Sequence, residues 1–267
     1  MKKRLKGITG RSLGLILCLS IAVGLSETPH HQSYGTISHS SKNYSQKQLY
    51  QIAQSITVTI LAKKEAIGSG VIIQNQQNRY KILTNAHVLQ GLEPPYQIKT
   101  PDGQVYEAQI IDSVNFKKAD LALLQFQANN FSYPTAKIGS SSKLIKGEPV
   151  FVSGFPYTTY KTNQNNFTFN QGTIVSVLDK ALEGGYQVGY NNLIEKGMSG
   201  GPLLNSSGEV VGINGMHAYP LWETLTYYED GTEPSSDLQQ LITRSSWAIP
   251  IEKVVQLVPS LLLTFDK

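Results

Sequence analysis

Gly197-Met198-Ser199-Gly200-Gly201-Pro202 sets one serine among three glycines and ahead of a proline. Two glycines followed by a proline exclude a helix after Ser199 and favour a tight turn with unusual dihedrals. Gly197 leaves its N–H free to point into the same space as the N–H of Ser199. Two such donors about 3 Å from a developing oxyanion stabilise a tetrahedral intermediate. A serine alone is a weak nucleophile and needs a base and an orienting acid. Candidates are His87, in Thr84-Asn85-Ala86-His87-Val88, and Asp120, in Ala119-Asp120-Leu121-Ala122-Leu123.

Outward from that turn, most of the chain has a period of two. Ile56, Val58 and Ile60 alternate, and Val71–Ile73 and Tyr80–Leu83 are short apolar runs. Further strands are expected at Gln104–Ile111, Leu121–Phe126, Val150–Ser153, Thr168–Val177, Tyr186–Tyr190 and Val210–Asn214. Pro101-Asp102-Gly103 and Ser206-Ser207-Gly208 supply turns between them. Many short strands, 23 glycines and few helical stretches point to an all-β barrel or sandwich. One helix stands out, opened by Pro250 and carrying Ile251, Val254, Val255 and Val258 at helical spacing. A short helix over Asp237–Thr243 is a second, weaker expectation.

The first 26 residues differ from the rest. Lys2, Lys3, Arg4, Lys6 and Arg11 precede an apolar run from Leu13 to Leu25, with Ala22, Gly24 and Ser26 as small residues for cleavage. This is the pattern of a secretory signal, and the run is short for a membrane span. An uncleaved anchor is the alternative. The segment holds five of the 23 basic residues and none of the 19 acidic ones, leaving 18 against 19 and a formal charge near −1. Nothing in that balance suggests nucleic acid. Cys18 is the only cysteine, so the exported chain would carry no disulfide and no thiolate metal site. Residues 27–46 are polar and aperiodic, with His30, His31 and His39, and read as a flexible linker. No metal, cofactor or stable membrane association is expected, and the expected partners are polypeptide substrates.

Ser199 would attack a carbonyl carbon, His87 would take and return the proton, and Asp120 would hold the imidazole. The residues lie 33 and 79 positions apart, so only tertiary folding could unite them. The same glycine–serine spacing fits the nucleophile elbow of α/β-hydrolases, where the acid and the histidine follow the serine. Gly200-Gly201-Pro202 cannot start a good helix, the only later histidine is His217, and strand–helix alternation is missing. The elbow is therefore rejected.

The histidine–aspartate–serine order with these flanks resembles the chymotrypsin-like (trypsin-like) serine peptidases, in the style of bacterial Htr-type and glutamyl endopeptidases. The segments that carry the resemblance include Ile82–Val88, Asp120–Leu124, Gly197–Leu204, Val210–Asn214 and Trp247–Pro250, spanning about 50 to 258. It implies two packed six-stranded antiparallel β-barrels with a C-terminal helix and an active site in the cleft between them. Residues 47–258 would form this domain, with barrel one at about 50–135, barrel two at about 140–250, the helix at 250–258 and a tail at 259–267. His87 and Asp120 would come from barrel one and Ser199 from barrel two. The N–H groups of Gly197 and Ser199 would form the oxyanion hole. No PDZ domain is expected after the helix.

The departures from the family pattern matter. Met198 stands where animal trypsins carry an aspartate that pairs with a new N-terminus, so activation by N-terminal insertion is not expected. Met198 must instead keep the 197–198 peptide correctly turned. Leu193, six before the serine, falls at the base of the family's primary pocket, which argues against Arg or Lys at the scissile bond. Asn214, Gly215, Met216 and His217 would form one pocket wall, with His217 read as a loop histidine beside the cleft. The insertion from Ala218 to about Ser246 is expected to border that cleft. The leading function is an exported serine endopeptidase, periplasmic or extracellular. A catalytically silent binding or scaffold protein on the same fold is the alternative.

Overall fold

The computed structural model describes residues 43–157, 167–219 and 226–258. The expected signal, nearly all of the expected linker, and the tail at 259–267 lie outside the described residues, as do Trp222 and Glu223 of the insertion. Twelve strands make two closed antiparallel barrels. The first contains β1 (Thr57–Ala62), β2 (Glu65–Gln76), β3 (Arg79–Thr84), β4 (Tyr96–Lys99), β5 (Val105–Ile110) and β6 (Ala122–Gln127) in the order β1-β2-β3-β6-β5-β4. The second contains β7 (Pro149–Gly154), β8 (Thr168–Val177), β9 (Val188–Tyr190), β10 (Pro202–Leu204), β11 (Val210–Met216) and β12 (Ser246–Pro250) in the order β10-β11-β12-β9-β8-β7. Closure leaves no unpaired sheet edge in either barrel.

Period-two alternation explains how the barrels fill and how they join. On β2, Ile72 points into barrel one among Val58, Ile60, Ile82 and Leu124. Its neighbours Val71 and Ile73 point the other way, into a layer shared with Leu83, Leu123, Phe151, Leu204 and Ile213. On β3, Ile82 and Leu83 divide in the same manner. Each fully buried side chain of this kind contributes about 1.5–3 kcal/mol relative to exposure. The layer between the barrels combines this apolar packing with buried hydroxyls that bond across it, as Thr57 Oγ1 and Ser153 Oγ do at 2.9 Å.

Among the described residues four α-helices accompany the strands: α1 (Gln46–Ile56), α2 (Ala86–Leu89), α3 (Ser236–Arg244) and α4 (Ile251–Leu257). The expectations for α3 and α4 hold to within a residue or two. The reading of strands from about residue 47 is corrected by α1, and with it the view that the terminal helix alone stands out. The overlooked signal is a capping box: the Ser45 N–H donates to Gln48 Oε1 at 3.0 Å, and the Gln48 N–H donates to Ser45 Oγ at 3.4 Å. Leu49, Ala53 and Ile56 follow at helical spacing and are buried. Ile56 thus ends a helix and does not open the alternation. The β1–β2 and β2–β3 hairpins turn on Lys63-Lys64 and Gln77-Asn78, all four with positive φ, the conformation two-residue hairpin loops require.

Candidate active site

His87 lies one turn beyond the end of β3, on α2. Asn85 precedes that turn, and its Nδ2 donates to the Asp120 carbonyl at 2.8 Å. Asp120 sits just ahead of β6, anchored by buried Leu121 and Leu123. Its own N–H donates to the Gly184 carbonyl at 2.9 Å. The Asp120 carboxylate receives three protein donors. The His87 backbone N–H reaches Oδ1 at 2.8 Å, His87 Nδ1 lies 2.5 Å from Oδ2, and the Tyr186 hydroxyl donates to Oδ2 at 2.5 Å. An ionised carboxylate only accepts, so the imidazole proton sits on Nδ1 and Nε2 keeps its lone pair.

Ser199 comes from the loop before β10. Positions 197 and 200 around it can only be glycine: Gly197 has φ +95° and Gly200 φ +86°. A Cβ on Gly197 would lie 2.5 Å from the Phe155 carbonyl, and one on Gly200 would lie 2.1 Å from the Ser69 carbonyl. His87 and Ser199 line one open cavity of about 380 Å³, together with Gly197, Lys196, Tyr157 and Gly215. The Ser199 hydroxyl makes a long hydrogen bond, 3.5 Å, to the Gly215 carbonyl instead of engaging the imidazole. Such bonds commonly tighten only when substrate is bound.

The peptide that aims the Gly197 N–H is 196–197, which corrects the emphasis on 197–198. The Lys196 carbonyl accepts from the Tyr157 N–H at 2.7 Å. In a trans peptide the N–H points opposite to the carbonyl, so the Gly197 N–H is directed away from Tyr157. Among the described residues neither the Gly197 N–H nor the Ser199 N–H donates to a protein acceptor. The next peptide is fixed as well. The Gly197 carbonyl accepts from the Ser69 hydroxyl at 2.7 Å, and the Met198 N–H donates to the Glu195 carbonyl at 3.0 Å. Met198 itself is fully buried in barrel two among Val150, Val152, Leu203 and Val211. Apolar burial anchors the turn where an ion pair could have done so.

The expected pocket residues separate. Gly215 and His217 line the cavity with Ser199, and Met216 lines a neighbouring one of about 360 Å³ with His87, Tyr186, Thr226, Ile242 and Thr243. Described parts of the insertion therefore reach the cleft through α3. Asn214 is wholly buried behind the serine: Tyr190 Oη donates to its Oδ1 at 2.9 Å, and its Nδ2 donates to the Pro202 carbonyl at 3.1 Å. It braces the turn and presents no free group to a ligand. Leu193 is corrected outright. It is 68% exposed and belongs to neither cavity: its side chain faces solvent between buried Asn192 and Ile194, while Asn170 Nδ2 donates to its carbonyl. Ser69, Tyr157, Tyr186 and Lys196 went unread. Only Ser69, between Gly68 and Gly70, had a visible signal, a small polar residue at a close backbone approach. Among the described residues no group of three or more His, Cys, Asp or Glu side chains converges as a metal site would require.

Residues 68–213, more than half of the chain, match the family model described as a trypsin-like peptidase domain. The chain is 36% identical over 159 residues to a protein named serine protease HTRA1 from Xenopus laevis, covering 56% of this chain and 31% of that one. It is 34% identical over 157 residues to the serine protease Do-like HtrA of Bacillus subtilis, covering 56% and 33%. A probable periplasmic serine endoprotease DegP-like from Marinomonas is 34% identical over 155 residues, covering 57% and 30%. The chain thus spans about a third of the length of the curated relatives it matches. The crystal structure of the serine endoprotease from Yersinia pestis superposes with a TM-score of 0.58 at 24% identity, over 83% of this chain and 68% of that one, and shares the fold. The match of residues 68–213 to that family model, in a chain folded as two closed six-stranded barrels, means that the chain belongs to the trypsin-like peptidase domain family.

Proposed function

We propose that the protein is an exported serine endopeptidase that cleaves peptide bonds through Ser199, His87 and Asp120. The observation that carries this reading is the carboxylate-held imidazole opening onto the same cavity as Ser199. Ser199 Oγ forms a bond to the scissile carbonyl carbon while its proton passes to His87 Nε2. The carbonyl oxygen, now negative, lies against the N–H groups of Gly197 and Ser199. Collapse breaks the C–N bond, and the proton on His87 leaves with the amine. Water then attacks the acyl carbon and gives a proton to His87 Nε2; collapse breaks the ester bond to Ser199 Oγ, which takes that proton back as the acid leaves. Asp120 stays ionised throughout and stabilises the imidazolium.

No carboxylate lines the cavity around Ser199 among the described residues, whereas Lys196 does. That favours substrates without Arg or Lys at the scissile position, a preference that no longer rests on Leu193. Export rests on the basic-then-apolar start of the sequence, and a periplasmic destination accords with the name of the Marinomonas relative. Treatment with a fluorophosphonate probe across pH 6–9 tests the chemistry. Labelling of the wild type and none of Ser199→Ala is the expected result. No labelling at any pH would assign the fold to a silent binding protein.

A further inference from the structure

We infer that Tyr186 is a positioning residue for the His87–Asp120 pair, holding the Asp120 carboxylate in place from the opposite barrel and sharing its charge. This rests on the reading of Ser199, His87 and Asp120 as the catalytic groups. His87 and Asp120 both belong to barrel one, whereas Tyr186 lies two residues before β9 in barrel two. The phenol therefore ties the acid to the barrel that carries Ser199. Both hydrogen bonds to Oδ2 measure 2.5 Å, so the imidazole and the phenol draw on the same oxygen.

The surroundings leave the phenol no other place. Its ring lies against Gly184, whose carbonyl takes the Asp120 N–H. A Cβ on Gly215 would lie 2.1 Å from the phenol oxygen, so the bare strand at 215 is the space the hydroxyl fills. Gly215 also accepts from the Ser199 hydroxyl through its carbonyl, so one residue of β11 lies against both the phenol and Ser199. Burial, then the Asp120 charge and the hydrogen bond to it, hold the phenol well above its ordinary range, so it remains a donor wherever the enzyme works. Other ionisable groups sit farther out. Lys196 and His217 line the cavity with His87, while Lys118, Glu183 and Glu229 surround the Gly184 turn, and Tyr190 stands behind Tyr186.

A carboxylate shared between two donors stabilises the imidazolium less than an unshared one. Tyr186→Phe keeps the ring and removes only the donor. Freed of that tether, the carboxylate holds the imidazole less firmly in line with Ser199, and the expected result is a fall in kcat of about tenfold with KM little changed. The acid limb of the kcat/KM profile should move to higher pH, and the downfield Nδ1 proton resonance of His87 should shift. A melting temperature that falls while kcat, the acid limb and the resonance stay fixed would make Tyr186 a packing residue and overturn the inference. An acid limb that moves to lower pH would overturn it too. If Tyr186→Phe does not fold, Gly215→Ala, which crowds the phenol off Asp120, is read by the same acid limb and resonance. Wild type and Ser199→Ala run in parallel: equal activity in those two would sink the catalytic reading itself, whereas an unaltered Tyr186→Phe beside a dead Ser199→Ala sinks only the role of Tyr186.

Discussion

The Ser69 hydroxyl, on a strand of barrel one, donates to the Gly197 carbonyl of barrel two at 2.7 Å. The same oxygen accepts from the Phe155 N–H at 2.8 Å, and the Ser69 N–H donates to the Ser199 carbonyl at 2.9 Å. One buried serine thus satisfies polar groups on both sides of the turn that holds Ser199. Ser69→Ala should lower kcat by about 10²-fold, as loss of an oxyanion donor does. It should also cost about 1–3 kcal/mol of stability, because the Phe155 N–H and the Gly197 carbonyl lose their partner. Active-site titration beside urea unfolding separates the two effects. A variant that unfolds earlier but turns over normally would show that the turn keeps its shape without Ser69.

Met198 does by packing what a charged residue could do by pairing. Met198→Leu conserves volume and apolar character and should cost under about 1.5 kcal/mol. Met198→Asp would bury a carboxylate in an apolar interior and should destabilise by several kcal/mol, about 3 or more. Urea midpoints for the two variants check this, and an aspartate tolerated as well as leucine would contradict the burial argument.

Much of the fold was legible, and the three candidate residues could be picked out, because each stands in a motif set by local chemistry. The alternation on β2 and β3, the Gly–Ser–Gly–Gly–Pro turn and the terminal helix each declare themselves within a few residues. What escaped depends on partners distant in sequence. β10 has three residues and β4 has four, too few to display a period. Lys63-Lys64 makes a hairpin turn without a glycine or asparagine, so no turn chemistry announced it. Tyr186 reads as an ordinary aromatic until Asp120 and Gly215 are seen around its hydroxyl. Counting back from Ser199 places Leu193 along the chain but not the direction of its side chain, which faces solvent between two buried neighbours.

The outward-facing side chain of Leu193 has a direct consequence for selectivity. Leu193→Asp puts a carboxylate into solvent and not into the cleft. Cleavage preference over a peptide library should be unchanged, with no new cutting after Arg or Lys. An acquired preference for basic residues would return Leu193 to the pocket. Lys196→Glu, by contrast, changes a charge on the cavity wall and should raise kcat/KM for substrates with basic side chains there.

Glu252, in the first turn of α4, fastens the segment joining the two barrels. Its carboxylate accepts from the Ser140 hydroxyl at 2.7 Å, from the Ser142 N–H at 3.2 Å and, over a very short contact, from the Ser141 hydroxyl. Burial alone would raise its pKa, but these bonds outweigh burial and hold it below the ordinary value of 4.5. A carboxyl with a depressed folded-state pKa stabilises the protein above the unfolded value, and that contribution is lost as pH falls through the folded value. Glu252→Gln should therefore cost about 1 kcal/mol at pH 7, the group being only half-buried. The gap between wild type and variant should narrow as pH drops below about 4.5 and close once the wild-type carboxyl is protonated. Thermal melts of both proteins from pH 7 to pH 3 measure this, and a gap that does not change with pH would mean that the carboxylate charge plays no part in holding the barrels' connection.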